Sequence, residues 1–187
     1  MSSWLLPDYI FATYREVTPE FLTSIGIKAL LIDIDNTLAP YEQPLPDEHI
    51  KAWFAALRQS GIQATFISNN GRERVEIFNE EIGLPFYCNS AKPFAKNLKR
   101  AMRDMGTDRT NTAMLGDQLL TDAAAGKHIG LKTIIVPPIN DKNNAFFRTK
   151  RALEVGHIKK YVKLHGEDAR AVCSFWLEKK YKKKNRK

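Results

Sequence analysis

The chain has 187 residues, 43% of them hydrophobic, and a formal net charge of +8, which suits one domain of ordinary size with an appendage and favours an anionic partner. No stretch approaches the ~18 consecutive apolar residues of a spanning helix, and no basic-then-apolar leader opens the sequence. The two cysteines, Cys88 and Cys173, stand far apart in no metal-like spacing, so a disulfide scaffold is excluded and a cytoplasmic protein is expected.

Three regions are predicted: an N-terminal segment 1–26, a core 27–140 and a basic helical extension with tail 141–187. Ile27 to Ile34 is an almost continuous apolar run ending in acidic residues, which predicts a strand buried on both faces of a parallel sheet. After Pro40, Pro44 and Pro46, Asp47 is placed to cap a helix whose Ile50, Trp53, Phe54 and Leu57 share one face, closed by Gly61. Ile62 to Ile67 reads as a strand, Arg72 to Ile82 as a helix stopped by Gly83, and Pro85 to Cys88 as a short strand. A helix is predicted from Pro93 to Met105, with Phe94, Leu98, Ala101, Met102 and Met105 on one face. Thr112 to Leu115 reads as a strand, Leu119 to His128 as a helix, and Leu131 to Val136 as a fifth strand before Pro137 and Pro138. Strand and helix alternate, so the expected fold is α/β: a doubly wound, Rossmann-like core with a five-stranded parallel sheet.

Beyond Asn143 two helices are predicted, Ala145 to Leu164 and Asp168 to Tyr181, divided by His165 and Gly166. Phe146, Phe147, Leu153, Ile158, Tyr161 and Val162 can pack on the core. Seven of the last nine residues are basic (Lys179, Lys180, Lys182, Lys183, Lys184, Arg186, Lys187), a solvated end or a binding tail.

In an open parallel sheet, polar residues just after the strands converge at the switch point. Here these are Asp33 and Asp35, then Ser68, Asn69 and Asn70, then Asp117 with Asp122, with Lys92 arriving from a helix start. Two buried carboxylates so close repel unless a cation compensates, so a metal is expected. Phosphoryl transfer needs an in-line oxygen nucleophile, charge neutralisation and a proton donor for the leaving alkoxide. Asp33 can supply the first by forming an aspartyl-phosphate, and Asp35 the last. Taken singly, an acidic pair after a strand is also a helix cap or turn, and Asn69, Asn70 and Gly71 also suit a turn. Lys92 can stand beside a phosphate near a helix N-terminus, and Asp117 and Asp122 suit a hard cation such as Mg²⁺.

The set DIDNTL, SNN, KP and GDQLLTD, in this order, resembles the haloacid-dehalogenase (HAD) superfamily of phosphatases, subfamily IIIA. The resemblance is to its YqeG-like branch, akin to mitochondrial phosphatidylglycerophosphatases, and spans about Leu5 to Leu164. It departs from those mitochondrial relatives at Ile34 and Thr37, where they carry Lys and Cys. It implies Asp33 as nucleophile, Asp35 as acid and base, and Ser68, Asn69 and Lys92 around the phosphate. It implies Mg²⁺ held by Asp33, the Asp35 carbonyl and Asp117, with Asp122 in support.

The intervals Leu38 to Ile67 and Gly71 to Ala91 are used by core elements, so no cap domain is expected. An open site suits a phosphate presented at a surface. The resemblance implies phosphatidylglycerophosphate, and Arg148, Lys150, Arg151, Lys159, Lys160 and Lys163 are expected to rest on an anionic bilayer as a peripheral contact. Phosphoprotein or nucleic-acid ends are the alternative substrates. A basic RNA- or ribosome-binding module is the reading from another class, and it lacks a recognised RNA motif.

Overall fold

A computed structural model describes residues 4–140 and 145–178, with side chains from 149 onward in the second stretch. The predicted basic tail from Lys179 to Lys187, the predicted helix end at Tyr181 and the side chains of Phe146, Phe147 and Arg148 lie outside the described residues.

Among the described residues one parallel sheet is formed by β1 (Tyr9–Ile10), β2 (Ala29–Ile32), β3 (Gln63–Ile67), β4 (Phe86–Tyr87), β5 (Thr112–Gly116) and β6 (Lys132–Ile135). Their order is β1-β6-β5-β2-β3-β4, six strands where five were expected. The added edge strand is two residues long and pairs Tyr9 with Ile134 and Ile10 with Ile135. A segment that short carries no readable alternation.

The helices are α1 (Pro19–Ser24), α2 (Glu48–Gln59), α3 (Arg72–Asn79), α4 (Lys96–Asp104), α5 (Ala124–His128), α6 (Ala145–Val172) and α7 (Ser174–Glu178). Every residue of β2 is buried, and successive side chains serve opposite layers. Leu30 and Ile32 pack in one cluster with Ile50, Phe54 and Leu57 of α2, while Leu31 packs with Leu98 and Ala101 of α4. Asp47 caps α2 by accepting from the Ile50 amide at 2.8 Å.

The helix after Lys92 differs from expectation. It begins at Lys96, because Ala91 adopts φ 52° and the Phe94 amide donates to the Ala91 carbonyl at 2.9 Å, so the chain turns before it coils. Phe94 therefore leaves the helix face and is 73% exposed.

The C-terminal extension breaks where glycine was predicted to divide it: Gly166 has φ 81°. Its apolar face is spent on the core. Ile158 and Tyr161 of α6, Cys173 and Trp176 form a buried cluster with Leu5, Ile10, Leu119, Ala123 and Ile135. Leu153 does not join it and is exposed. Among the described residues there is no cap domain over the sheet, and no helix is long and apolar enough to cross a membrane.

Candidate active site

Strand β2 lies between β5 and β3, so the loops leaving these three strands open the crevice in which such sheets bind ligands. The residues after them line a cleft of about 280 Å³ that includes Asp33, Asp35, Ser68, Asn69, Asn70, Lys92, Gln118, Thr121 and Asp122.

Lys92 sits at the centre. Its buried ammonium reaches Asp33 Oδ1 at 2.6 Å, Asp122 Oδ1 at 2.7 Å and the Ile67 carbonyl at 2.8 Å. Burial acts to lower its pKa, but the Asp122 and Asp33 carboxylates outweigh burial and hold it above the ordinary lysine value. Asn69 places this lysine: its side chain accepts from the Lys92 amide at 2.8 Å and donates to the Lys92 carbonyl at 3.2 Å.

The carboxylates converge from strands β2 and β5. Asp33, Asp117 and Asp122 are all buried, and one oxygen of each lies within 4.8 Å of the others. Burial pushes the Asp33 carboxyl well above its usual range; Lys92 opposes this, and Asp122 and Asp117 add to it. Burial likewise pushes Asp117 up to about 7, against the pull of Arg151. Clustered acids that resist ionising are what a cation would relieve. Asp117 Oδ1 is buried and has no hydrogen-bond partner among the described residues. An all-oxygen donor set with one unsatisfied oxygen fits a hard divalent ion.

Asp122 is held by close packing on Gly116. A Cβ at that position would lie 2.3 Å from Asp122 Cγ, so only glycine leaves room for the carboxylate. Asp122 Oδ2 then accepts from the Gln118 amide at 3.1 Å.

Asp35 lies at the other side of the cleft. Its Oδ1 accepts from Arg74 Nε at 3.1 Å, and its Oδ2 accepts from the Asn70 side-chain amide. Asn36 adopts φ 64° and accepts from the Asn140 amide at 3.2 Å, so it ties the loop after β2 to the loop after β6. Thr37 faces Asp33 Oδ2 at 3.4 Å. Ser68 is buried, lines the cleft and accepts from the Asn70 amide at 3.1 Å.

Six of the seven predicted site residues thus line one cleft, and the seventh, Asp117, is buried with one oxygen within 4.8 Å of Asp33 and Asp122. The structure adds Arg74, Arg151 and Glu154, which sequence reasoning missed. Arg151 was expected on a membrane-facing surface, and this is corrected: its side chain is 1% exposed and pairs with Asp117 Oδ2 at 2.5 Å. The available signal was spacing. Positions 151, 154, 158 and 161 form one helical stripe, and the two charges on it share a face with Ile158 and Tyr161.

A parallel α/β core with an acidic cluster and a buried lysine at its switch point suits a phosphohydrolase. The chain belongs to the HAD superfamily of phosphatases, in its YqeG-like branch. It is 34% identical to the probable phosphatase YqeG of Bacillus subtilis (strain 168) over 154 residues, 82% of this chain and 90% of that protein. It is 26% identical to the chloroplastic phosphatidylglycerophosphate phosphatase 1 of Chlamydomonas reinhardtii, covering 77% of this chain and 57% of that one. A HAD-hydrolase-like family model matches residues 89–138. In fold, an uncharacterized protein from Listeria monocytogenes serotype 4b superposes with a TM-score of 0.50 at 14% identity, over 63% of this chain and 85% of that one. The chain is a HAD-family phosphatase, and its family generally uses a divalent metal.

Proposed function

We propose that the chain hydrolyses a phosphomonoester on an anionic lipid, phosphatidylglycerophosphate, with Mg²⁺ as cofactor and Asp33 as nucleophile. The observation that carries the chemistry is the meeting of Asp33, Asp117 and Asp122 in one buried cluster, with Lys92 paired to Asp33 and Asp122. Asp33, the Asp35 backbone carbonyl and Asp117 would hold Mg²⁺, with Asp122 in support. When bound, the ion supplies charge neutralisation to the phosphoryl oxygens and to the acidic cluster.

The chain's own residues do the rest. An Asp33 carboxylate oxygen attacks phosphorus, the ester P–O bond breaks, and Asp35 gives its proton to the departing alkoxide oxygen. Asp35 then takes a proton from water as the water oxygen attacks phosphorus. The P–O bond to Asp33 breaks, inorganic phosphate leaves, and both carboxyls return to their starting states. Lys92 and Ser68 hold the phosphoryl oxygens, and Asn69 fixes Lys92 by bracketing its backbone. Arg74 and Asn70 hold Asp35 at the cleft wall before substrate enters.

Two observations favour a lipid. The Chlamydomonas relative is named for phosphatidylglycerophosphate, and among the described residues the cleft has no cap that would enclose a small metabolite. Lys150, which lines the cleft and donates to the Gln118 side chain, adds a cation where an anionic head group would lie. Purified protein with Mg²⁺ is expected to release phosphate from phosphatidylglycerophosphate in mixed micelles, faster than from phosphopeptides or nucleic-acid ends. Good turnover of a soluble aryl phosphate with none on the lipid would sink the lipid assignment.

A further inference from the structure

Arg151 and Glu154 lie on α6, outside the strand-end motifs, yet they are buried against the segment that carries Asp117. Arg151 Nη2 donates to Asp117 Oδ2 at 2.5 Å and Nη1 donates to the Asp117 carbonyl at 2.9 Å, so one guanidinium holds both the side chain and the backbone of that residue. Glu154 anchors the arginine by accepting from Nη1 at 2.9 Å. Its other oxygen accepts from the Leu119 amide at 2.9 Å, two residues past Asp117. Trp176 closes the set by donating to Glu154 Oε2 at 3.3 Å.

A buried charged set of this kind is poor as a stabiliser, because desolvation offsets much of the attraction. Its geometry has another consequence. With Oδ2 held by Arg151, the oxygen of Asp117 left over is Oδ1, which has no hydrogen-bond partner among the described residues, and one oxygen of Asp117 lies within 4.8 Å of one oxygen each of Asp33 and Asp122. We infer that Arg151, braced by Glu154, is a positioning residue for Asp117, and that the C-terminal helix is thereby part of the metal site. This rests on the reading of Asp117 as a metal ligand. Partners that orient a ligating carboxylate typically matter ~10–100-fold in metal affinity or activity.

The test is calorimetric titration of the metal-free protein with Mg²⁺, and with Mn²⁺ followed by electron paramagnetic resonance, beside the melting temperature of each variant. Arg151→Lys, which keeps the charge but loses the two-pronged hold, is expected to remain folded and to bind either ion about tenfold more weakly. Arg151→Met with Glu154→Gln removes one charge of each sign and keeps an acceptor for Leu119, so it serves if a single change fails to fold. It is expected to bind more weakly still, with KM for substrate little changed and kcat reduced. Unchanged or tighter ion binding by the folded variants, with only the melting temperature lowered, would overturn the inference and leave the phosphatase reading standing. If the wild-type protein binds neither ion and Asp117→Asn makes no difference, the metal-site reading and the inference fall together.

Discussion

The Asp33 side of the cleft and the Asp117 side draw on different parts of the chain. Asp33, Ser68 and Lys92 are set by residues directly after strands and by the Asn69 clasp, all inside the alternating core. Asp117 also follows a strand, but its orientation comes from Arg151, 34 residues away on a helix that no strand-end motif includes. A parallel sheet therefore delivers the carboxylates to one place, while aiming one of them is left to an added helix. That helix can do this because its apolar face is buried on the core through Ile158 and Tyr161, in a cluster that Trp176 of α7 joins.

Two substitutions and a pH series probe the two sides. Asp33→Asn removes the charge of the oxygen proposed to attack and is expected to lower turnover on the order of 10³-fold or more with the fold retained, since covalent catalysis would have no substitute nucleophile. Activity within tenfold of wild type would place the chemistry elsewhere. On the other side, Gly116→Ala forces Asp122 off its seat, where the new Cβ would stand 2.3 Å from Cγ. A loss of about 10–100-fold in kcat or metal affinity is expected from displacing this support, against no loss if Asp122 only fills space.

The smallest effect is on stability and shared by both sides. Burial raises the folded-state pKa of Asp33, and that of Asp117 from 3.8 to about 7. Such groups stabilise the folded protein while protonated, below the unfolded value, and that contribution is lost as pH rises through the folded value. In chelator, the melting temperature is expected to fall between about pH 5 and about pH 8, and a divalent cation is expected to flatten the slope. A melting temperature that rises over this window would contradict the burial of unrelieved acids.

The core and its acidic residues were legible because each follows a strong local pattern. Leu30, Leu31 and Ile32 announce a two-faced strand, and Asp47 with Ile50, Trp53 and Leu57 announces a capped, amphipathic helix. What was missed depends on contacts distant in sequence. β1 is recognised only by its pairing with β6, and Arg74 gains meaning only from Asp35, 39 residues earlier. Arg151 was misplaced because basic residues crowd its neighbourhood, and charge alone does not separate the buried one from the exposed ones. Its helical register with Glu154, Ile158 and Tyr161 does.

The most direct test of the central claim is a rapid acid quench of enzyme turning over a phosphomonoester, followed by peptide mass mapping. A phosphoryl group on the peptide carrying Asp33, absent in Asp33→Asn, is the predicted result. Burst release of the alcohol with no protein adduct, or an adduct on another residue, would contradict it.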